Sequence, residues 1–316
     1  MSRYRVAINM EWTGKCNARC VMCPREAIVR PRLMSYATFA RVLSRLGPED
    51  VFRVVVAGYG EPTTHPLFEK FIEKVAAHPV RFDMVSNGER LDEDRLRHLD
   101  GAIGTLTISF SSVVKAVYEA VHVNLDHRRV MQNIVLAQKV LRRTEVAISL
   151  TPLEECLDTL EQTIAWLHRH GITHLTMSPT LYNRAGRLCD HRLATRRLRQ
   201  NIERYDLHSQ ELDFVPSFKE VVLQNWHNRF RCLPRNVDLF ITADGDYLYC
   251  YNDISHQHRL GSIDRLSVRE VLRLRESQPP IPELCNRCNM RDRYGLKEVA
   301  KVALGILNLN KGVTIT

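Results

Sequence analysis

The sequence predicts an α/β fold: a parallel sheet of six strand–helix units followed by a small cysteine-rich module. Three observations predict it. Across the first 180 residues, short apolar runs alternate with longer amphipathic stretches. Polar and glycine-bearing clusters, "GKCNARC", "GYGEPTTH", "SNGER" and "SFSS", come directly after those runs. The cysteines fall into two main groups, one behind the first run and one beyond residue 231.

The strand candidates are "YRVAINMEW" (4–12), "VFRVVVAGYG" (51–60), "VRFDMVSNG" (80–88), "IGTLTISFSS" (103–112), "TEVAISLTP" (144–152) and "ITHLTMSPT" (172–180). Each is short and mostly β-branched or aromatic, as expected of a strand covered on both faces. Between them lie the helix candidates "SYATFARVLSRL" (35–46), "HPLFEKFIEKVAAH" (65–78), "LDEDRLRHL" (91–99), "NLDHRRVMQNIVLAQKVLRR" (124–143) and "ECLDTLEQTIAWLHRHG" (155–171). Pro66 sits near one helix start and Gly171 just past another helix end, as terminal preferences favour. Such alternation implies right-handed crossovers, whether the sheet curls into a partial barrel or lies open. Ligands then belong at the C-terminal strand ends.

Beyond residue 180 the rhythm breaks. Residues 181–231 read as linking helices, basic and carrying Trp226 and Phe230. Residues 232–290 read as a strand-and-turn module in which "DLFITADGDYLYCY" is a hairpin turning at Asp244-Gly245. The segment 291–316, with "LKEVAKVALGILNL", is expected to be a helical tail.

The chain has 316 residues, 44% hydrophobic and 26% charged, ordinary values for a globular enzyme. "MSRYRVAINMEW" lacks a signal-peptide core, and no run approaches the roughly 20 apolar residues that span a bilayer. The expected location is therefore cytoplasmic and reducing, with no membrane partner, and nine cysteines there point to metal ligation rather than disulfides. A formal net charge of +9 attracts anions. No helix-turn-helix, zinc-finger or RNA-recognition signature accompanies the charge, so nucleic acid is not the expected partner.

Cys16, Cys20 and Cys23 stand C-x3-C-x2-C in "TGKCNARCVMCP", at the ligand end of the first strand. Three thiolates can hold three irons of a [4Fe–4S] cube and leave the fourth open. Structural zinc would require a fourth protein ligand, for which His65 is the nearest candidate. Cys232, Cys250, Cys285 and Cys288 form the second set, and four soft ligands suit zinc and a fully ligated cube equally. Cys156 and Cys189 lie in helical contexts, where free cysteine commonly behaves as a small hydrophobe.

These motifs resemble the radical SAM superfamily, whose signature is C-x3-C-x2-C after the first barrel strand. The resemblance covers roughly residues 5–180 and implies a partial (β/α)6 barrel that binds a [4Fe–4S] cluster and S-adenosylmethionine. Gly58, Tyr59, Gly60, Glu61 and Pro62 match the loop that binds the cosubstrate's amino group. Ser86-Asn87-Gly88 matches a motif after strand three, and Ser109 and Ser111 lie where relatives hold the ribose and carboxylate. Met22 replaces an aromatic residue common before the third cysteine, and can still pack on adenine. The second set resembles the SPASM/twitch extension. It implies an auxiliary [4Fe–4S] cluster, hence two in all, with no open iron.

What the resemblance implies is reductive cleavage of S-adenosylmethionine to a 5′-deoxyadenosyl radical, which takes a hydrogen from substrate. A flavodoxin- or ferredoxin-type protein is the implied electron donor. "YNRAGR" is similar to a stretch in radical SAM alcohol dehydrogenases of aminoglycoside biosynthesis, and makes Arg184 the candidate for contacting substrate or assisting loss of its proton. The expected reaction is two-electron oxidation of a small polar metabolite such as a sugar, cyclitol or nucleotide. One rival is a peptide-modifying enzyme. Since the cysteine motif begins at residue 16, a separate protein would then recognise the leader. The other rival, a non-catalytic zinc- and RNA-binding protein, leaves Cys16, Cys20, Cys23 and "GYGEP" unexplained.

Overall fold

All six apolar runs form parallel strands: β1 (Val6–Met10), β2 (Val51–Val56), β3 (Arg81–Ser86), β4 (Thr105–Ser109), β5 (Glu145–Leu150) and β6 (Leu175–Met177). The computed structural model describes residues 5–24, 28, 31–151, 153–177, 200–202, 204–207 and 238–285. Most of the linking segment 181–231 and all of the tail 291–316 lie outside the described residues.

The anticipated hairpin is present as β7 (Asp238–Ile241) and β8 (Asp246–Leu248), with Gly245 at φ +85° in the turn. It does not stand apart from the core. β7 pairs in parallel with β1, Ala7 opposite Asp238 and Met10 opposite Ile241, and β9 (Arg259–Ser262) completes one nine-stranded sheet. The order is β6-β5-β4-β3-β2-β1-β7-β8-β9. The cysteine-bearing hairpin is thus hydrogen-bonded to the strand that leads into the first cysteine loop.

Among the helices, α1 (Tyr36–Arg45) is capped by Ser35, α2 spans Phe68–Ala76, and Asp92 caps α3 (Glu93–Leu99). A short helix that the sequence reading did not anticipate, α4 (Lys115–Val121), precedes α5 (His127–Val140), which is capped by Asp126. The single helix expected over 155–171 is broken into α6 (Glu154–Leu157) and α7 (Leu160–Arg169). Thr159 at the break pairs its hydroxyl with Ser112 at 2.7 Å, a contact that periodicity cannot reveal. Gly171 lies past the end of α7 at φ +75°, as its position suggested. Ser267 and Glu270 form a capping box on α8 (Val268–Ser277), and α9 (Pro282–Cys285) carries the third cysteine of the late set.

The core lies between sheet and helices. Trp12 packs edge-on to Phe39, Phe68 and Phe71, and joins Ile8, Met10, Val54 and Met84 in one buried cluster. The other sheet face is covered less completely: Ala7, Asp83, Thr105 and Ala147 on it are buried, and other positions are only partly so. Asn9, Val55, Val85, Thr107, Ser109, Ser149 and Thr176 alternate with the core residues and remain half-buried. At the N-terminal end this open face carries ion pairs and polar contacts: Arg81–Asp83 at 2.9 Å, Arg81–Thr105 at 2.7 Å and His174–Glu145 at 2.7 Å. At the C-terminal end it meets the polar loops.

Candidate active site

The loop carrying Cys16, Cys20 and Cys23 leaves β1 at the C-terminal edge of the sheet and is fixed by main-chain bonds on several sides. Gly14 N donates to Arg32 O at 2.8 Å, and Glu61 N donates to Lys15 O at 2.8 Å. Arg19 N donates to Val123 O at 2.8 Å and Val21 N to Val121 O at 3.0 Å, which ties the loop to the end of α4. All three cysteines are half-buried. Gly60 makes this arrangement possible: a Cβ there would stand 2.0 Å from Thr13 O and 2.5 Å from Lys15 O. The "GYGEP" and cysteine loops therefore touch backbone to backbone.

Glu61 is buried and holds the ends of β2 and β3 together. Its Oε1 accepts from Thr63 N (3.1 Å), Thr63 Oγ1 (2.7 Å) and Ser86 Oγ (2.8 Å), while Oε2 accepts from Asn87 N (2.7 Å). Burial raises its carboxyl above the ordinary range, and those four donors pull the other way. From Asn87 the network reaches the cysteines. Asn87 Nδ2 donates to Asn17 Oδ1 at 2.9 Å and lies 4.0 Å from Cys16 Sγ, and Asn17 Nδ2 donates to Glu89 at 2.6 Å. Glu61, Ser86 and Asn87, singled out as separate motifs, are one hydrogen-bonded unit.

The remaining predicted residues take distinct places. Tyr59 is buried against Phe240, and its N–H donates to Glu11 Oε2 at 3.1 Å. Gly58 abuts the same Glu11 side chain, where a Cβ would come within 2.8 Å of Cγ, while Pro62 begins the short turn Pro62–Thr64. Ser109 is half-buried on the open face, and Ser111 is buried beside Cys156. Burial pushes the Cys156 thiol up to about 12, which suits an inert core cysteine. Met22 packs against Val121, Leu153 and Cys156. His65, the nearest candidate for a fourth zinc ligand, instead bonds Met34 O at 3.1 Å and Leu67 N at 3.1 Å.

Sequence reasoning passed over three residues here. Asn17 lies inside the cysteine motif, and Glu11 directly follows the first strand, so both had a positional signal. Burial raises Glu11 to about 7, opposed by the main-chain bonds from Tyr59 and Ala243. His122 had no such signal. It is buried at the end of α4 with Nδ1 3.3 Å from Cys20 Sγ, and burial lowers it to about 4.

Of the late set, Cys250 and Cys285 are half-buried and pack against the main core. Cys232, Cys288, Arg184 and Cys189 lie outside the described residues. Among the described residues no three His, Cys, Asp or Glu side chains converge as ligands of one metal ion. Thiolates that bind three separate irons of a cube need not converge in that way. The three thiols, the backbone cradle at Gly60 and the amide beside Cys16 fit a three-thiolate [4Fe–4S] cluster with its cosubstrate.

The family model for the radical SAM superfamily matches residues 10–182, and that for an iron-sulfur cluster-binding domain, SPASM, matches 232–289. [4Fe–4S] clusters and S-adenosylmethionine accompany those domains. An S-adenosylmethionine-dependent nucleotide dehydratase of Thermoplasmatales archaeon (strain ISO4-H5) is 25% identical over 142 residues, 45% of this chain and 50% of that protein. The match thus spans half the length of that curated relative. Native anSMEcpe with bound AdoMet and Cp18Cys peptide superposes with TM-score 0.68 at 14% identity, covering 98% of this chain and 100% of that one. BtrN in complex with AdoMet and 2-DOIA gives 0.52 at 16% identity, covering 92% and 94%. At such identities the likeness is one of fold. No helix among the described residues is long and apolar enough to cross a membrane. Because the first family model spans more than half of the sequence and takes in the cysteine loop at the head of the sheet, the chain belongs to the radical SAM superfamily.

Proposed function

We propose that this radical SAM enzyme performs a two-electron oxidation of a small hydroxylated metabolite of the sugar, cyclitol or nucleotide class. One observation carries the substrate class. Ser109 stands opposite Ser149, and Ser149 opposite Thr176, in a half-buried row on the open face just below the C-terminal strand ends. A row of part-buried hydroxyls close to the C-terminal strand ends, where α/β folds bind ligands, suits a ligand rich in hydroxyls. The net charge of +9 favours an anionic member of the class, and the match to a protein named a nucleotide dehydratase supports a nucleotide.

Bound cluster and S-adenosylmethionine supply a 5′-deoxyadenosyl radical. Cys16, Cys20 and Cys23 would hold the cluster, and the Gly58–Pro62 loop would receive the cosubstrate's amino group. Glu61, Ser86 and Asn87 act on that group indirectly, by fixing the loop against the cysteines. Ser109 lies toward the cosubstrate's ribose, which leaves Ser149 and Thr176 of the row to substrate; Ser111 stays buried beside Cys156, and Met22 packs toward the adenine. Arg184 is the candidate for contacting substrate or assisting loss of its proton. Cys232, Cys250, Cys285 and Cys288 would hold a second [4Fe–4S] cluster with every iron ligated, which would supply an acceptor for the second electron. A flavodoxin- or ferredoxin-type protein delivers the first.

The test is anaerobic reconstitution of the full chain and assay with sugars, cyclitols and nucleotides under strong reduction. About eight irons and eight sulfides per chain are expected, with 5′-deoxyadenosine and a product lighter by two hydrogens. A product lighter by one water would replace oxidation with dehydration. Turnover of peptides alone would favour the peptide-modifying reading.

A further inference from the structure

Cys20 is met by a histidine that lies 102 positions further along the chain. We infer that His122 donates a hydrogen bond from Nδ1 to the Cys20 thiolate and thereby raises the reduction potential of the N-terminal cluster. This rests on the reading of Cys16, Cys20 and Cys23 as iron ligands. His122 is a positioning residue: it acts on the cluster through a ligand sulfur.

The contact is built into the backbone. The neighbours of Cys20, Arg19 and Val21, donate to the carbonyls of the neighbours of His122, Val123 and Val121, at 2.8 and 3.0 Å. Two main-chain bonds therefore clamp the imidazole against the sulfur, which leaves Nδ1 3.3 Å from Sγ. The ring is 1% exposed and packs 4.7 Å from Tyr118. Its other nitrogen, Nε2, is buried with no hydrogen-bond partner among the described residues. A buried polar ring that satisfies nothing else, at a site where an apolar side chain would pack, leaves the sulfur contact as its explanation.

Chemistry fixes the direction of the bond. A cluster-ligating cysteine is a thiolate and has no proton to give, so the shared proton resides on Nδ1. Reduction adds one electron and one negative charge to the cluster, and no proton need move. A donor aimed at a ligand sulfur stabilises the reduced form more than the oxidised form, which raises the potential.

The test is an EPR-monitored redox titration of the reconstituted full chain, following the signal that responds to S-adenosylmethionine. His122→Phe keeps a ring against Tyr118 and removes the donor. It is expected to lower the equilibrium constant for reduction about tenfold, or about 59 mV for one electron. His122→Asn retains an N–H near the Nδ1 position and is expected to stay within about threefold of wild type. If His122→Phe assembles no cluster while His122→Asn does, the hydrogen bond is supported by assembly instead. Equal midpoints for wild type and His122→Phe would overturn the inference. So would equal shifts, or equal loss of cluster, in both variants, since either marks packing alone. A wild-type protein with no cosubstrate-responsive signal would overturn the cysteine assignment and this inference with it, and wild type alone reveals that case.

Discussion

Replacing Glu61 with glutamine changes one oxygen to an NH2 group at a place where every neighbour donates. The carboxylate accepts from Thr63 N and two hydroxyls on one oxygen and from Asn87 N on the other. A hydroxyl can rotate to accept, but a backbone N–H cannot. In either amide orientation one main-chain N–H therefore faces another N–H inside the protein. A stranded buried donor costs about 1–3 kcal/mol, and loss of charge assistance at the remaining bonds adds about 1 kcal/mol. Glu61→Gln is therefore expected to destabilise the fold by about 2–4 kcal/mol, although it changes a single atom. Urea unfolding of the anaerobic protein at pH 7, followed by circular dichroism, measures this directly. Weaker binding of S-adenosylmethionine should accompany the loss, because the same network positions Asn87 beside Asn17 and Cys16. A variant within about 0.5 kcal/mol of wild type, the scale of ordinary surface substitutions, would refute the four-donor carboxylate.

Two further outcomes follow from the same loops. Gly60→Ala sets a methyl against the Thr13 and Lys15 carbonyls, which are backbone and cannot swing away; a loss of about 2–4 kcal/mol is expected from overpacking and the broken Glu61–Lys15 bond. Gly171→Ala, whose Cβ meets nothing nearer than 3.7 Å, should cost only about 1 kcal/mol through its positive φ, and equal losses in the two variants would refute the close approach. Glu11 is raised by burial from 4.5 to about 7, so its contribution is full below pH 4.5 and is lost as pH rises through 7. Glu11→Gln should therefore gain stability relative to wild type between pH 4.5 and 8, by up to about 3 kcal/mol at 1.36 kcal/mol per pH unit. Paired urea titrations at pH 5 and pH 8 check it, and an identical difference at both would exclude the buried acid as the cause.

The sequence by itself determined what local chemistry encodes. β-Branched runs gave all six parallel strands, Ser35, Asp92 and Asp126 stand where helices begin, and Asp244-Gly245 turns the late hairpin. The spacing of Cys16, Cys20 and Cys23 pointed to the radical SAM superfamily, because ligand number and interval are themselves local. The tertiary structure alone decided which distant groups meet. α4 lacks a side-chain cap and went unanticipated, and its end delivers His122 to Cys20. Glu61 looked like one more residue of a binding loop until burial and four donors made it the clamp between β2 and β3. Likewise β7 chose β1 as its partner, a pairing that no local pattern names. Periodicity and capping act over a few residues of one chain segment. Sheet partners, buried acids and sulfur contacts are set by packing between segments, and no single segment contains that information.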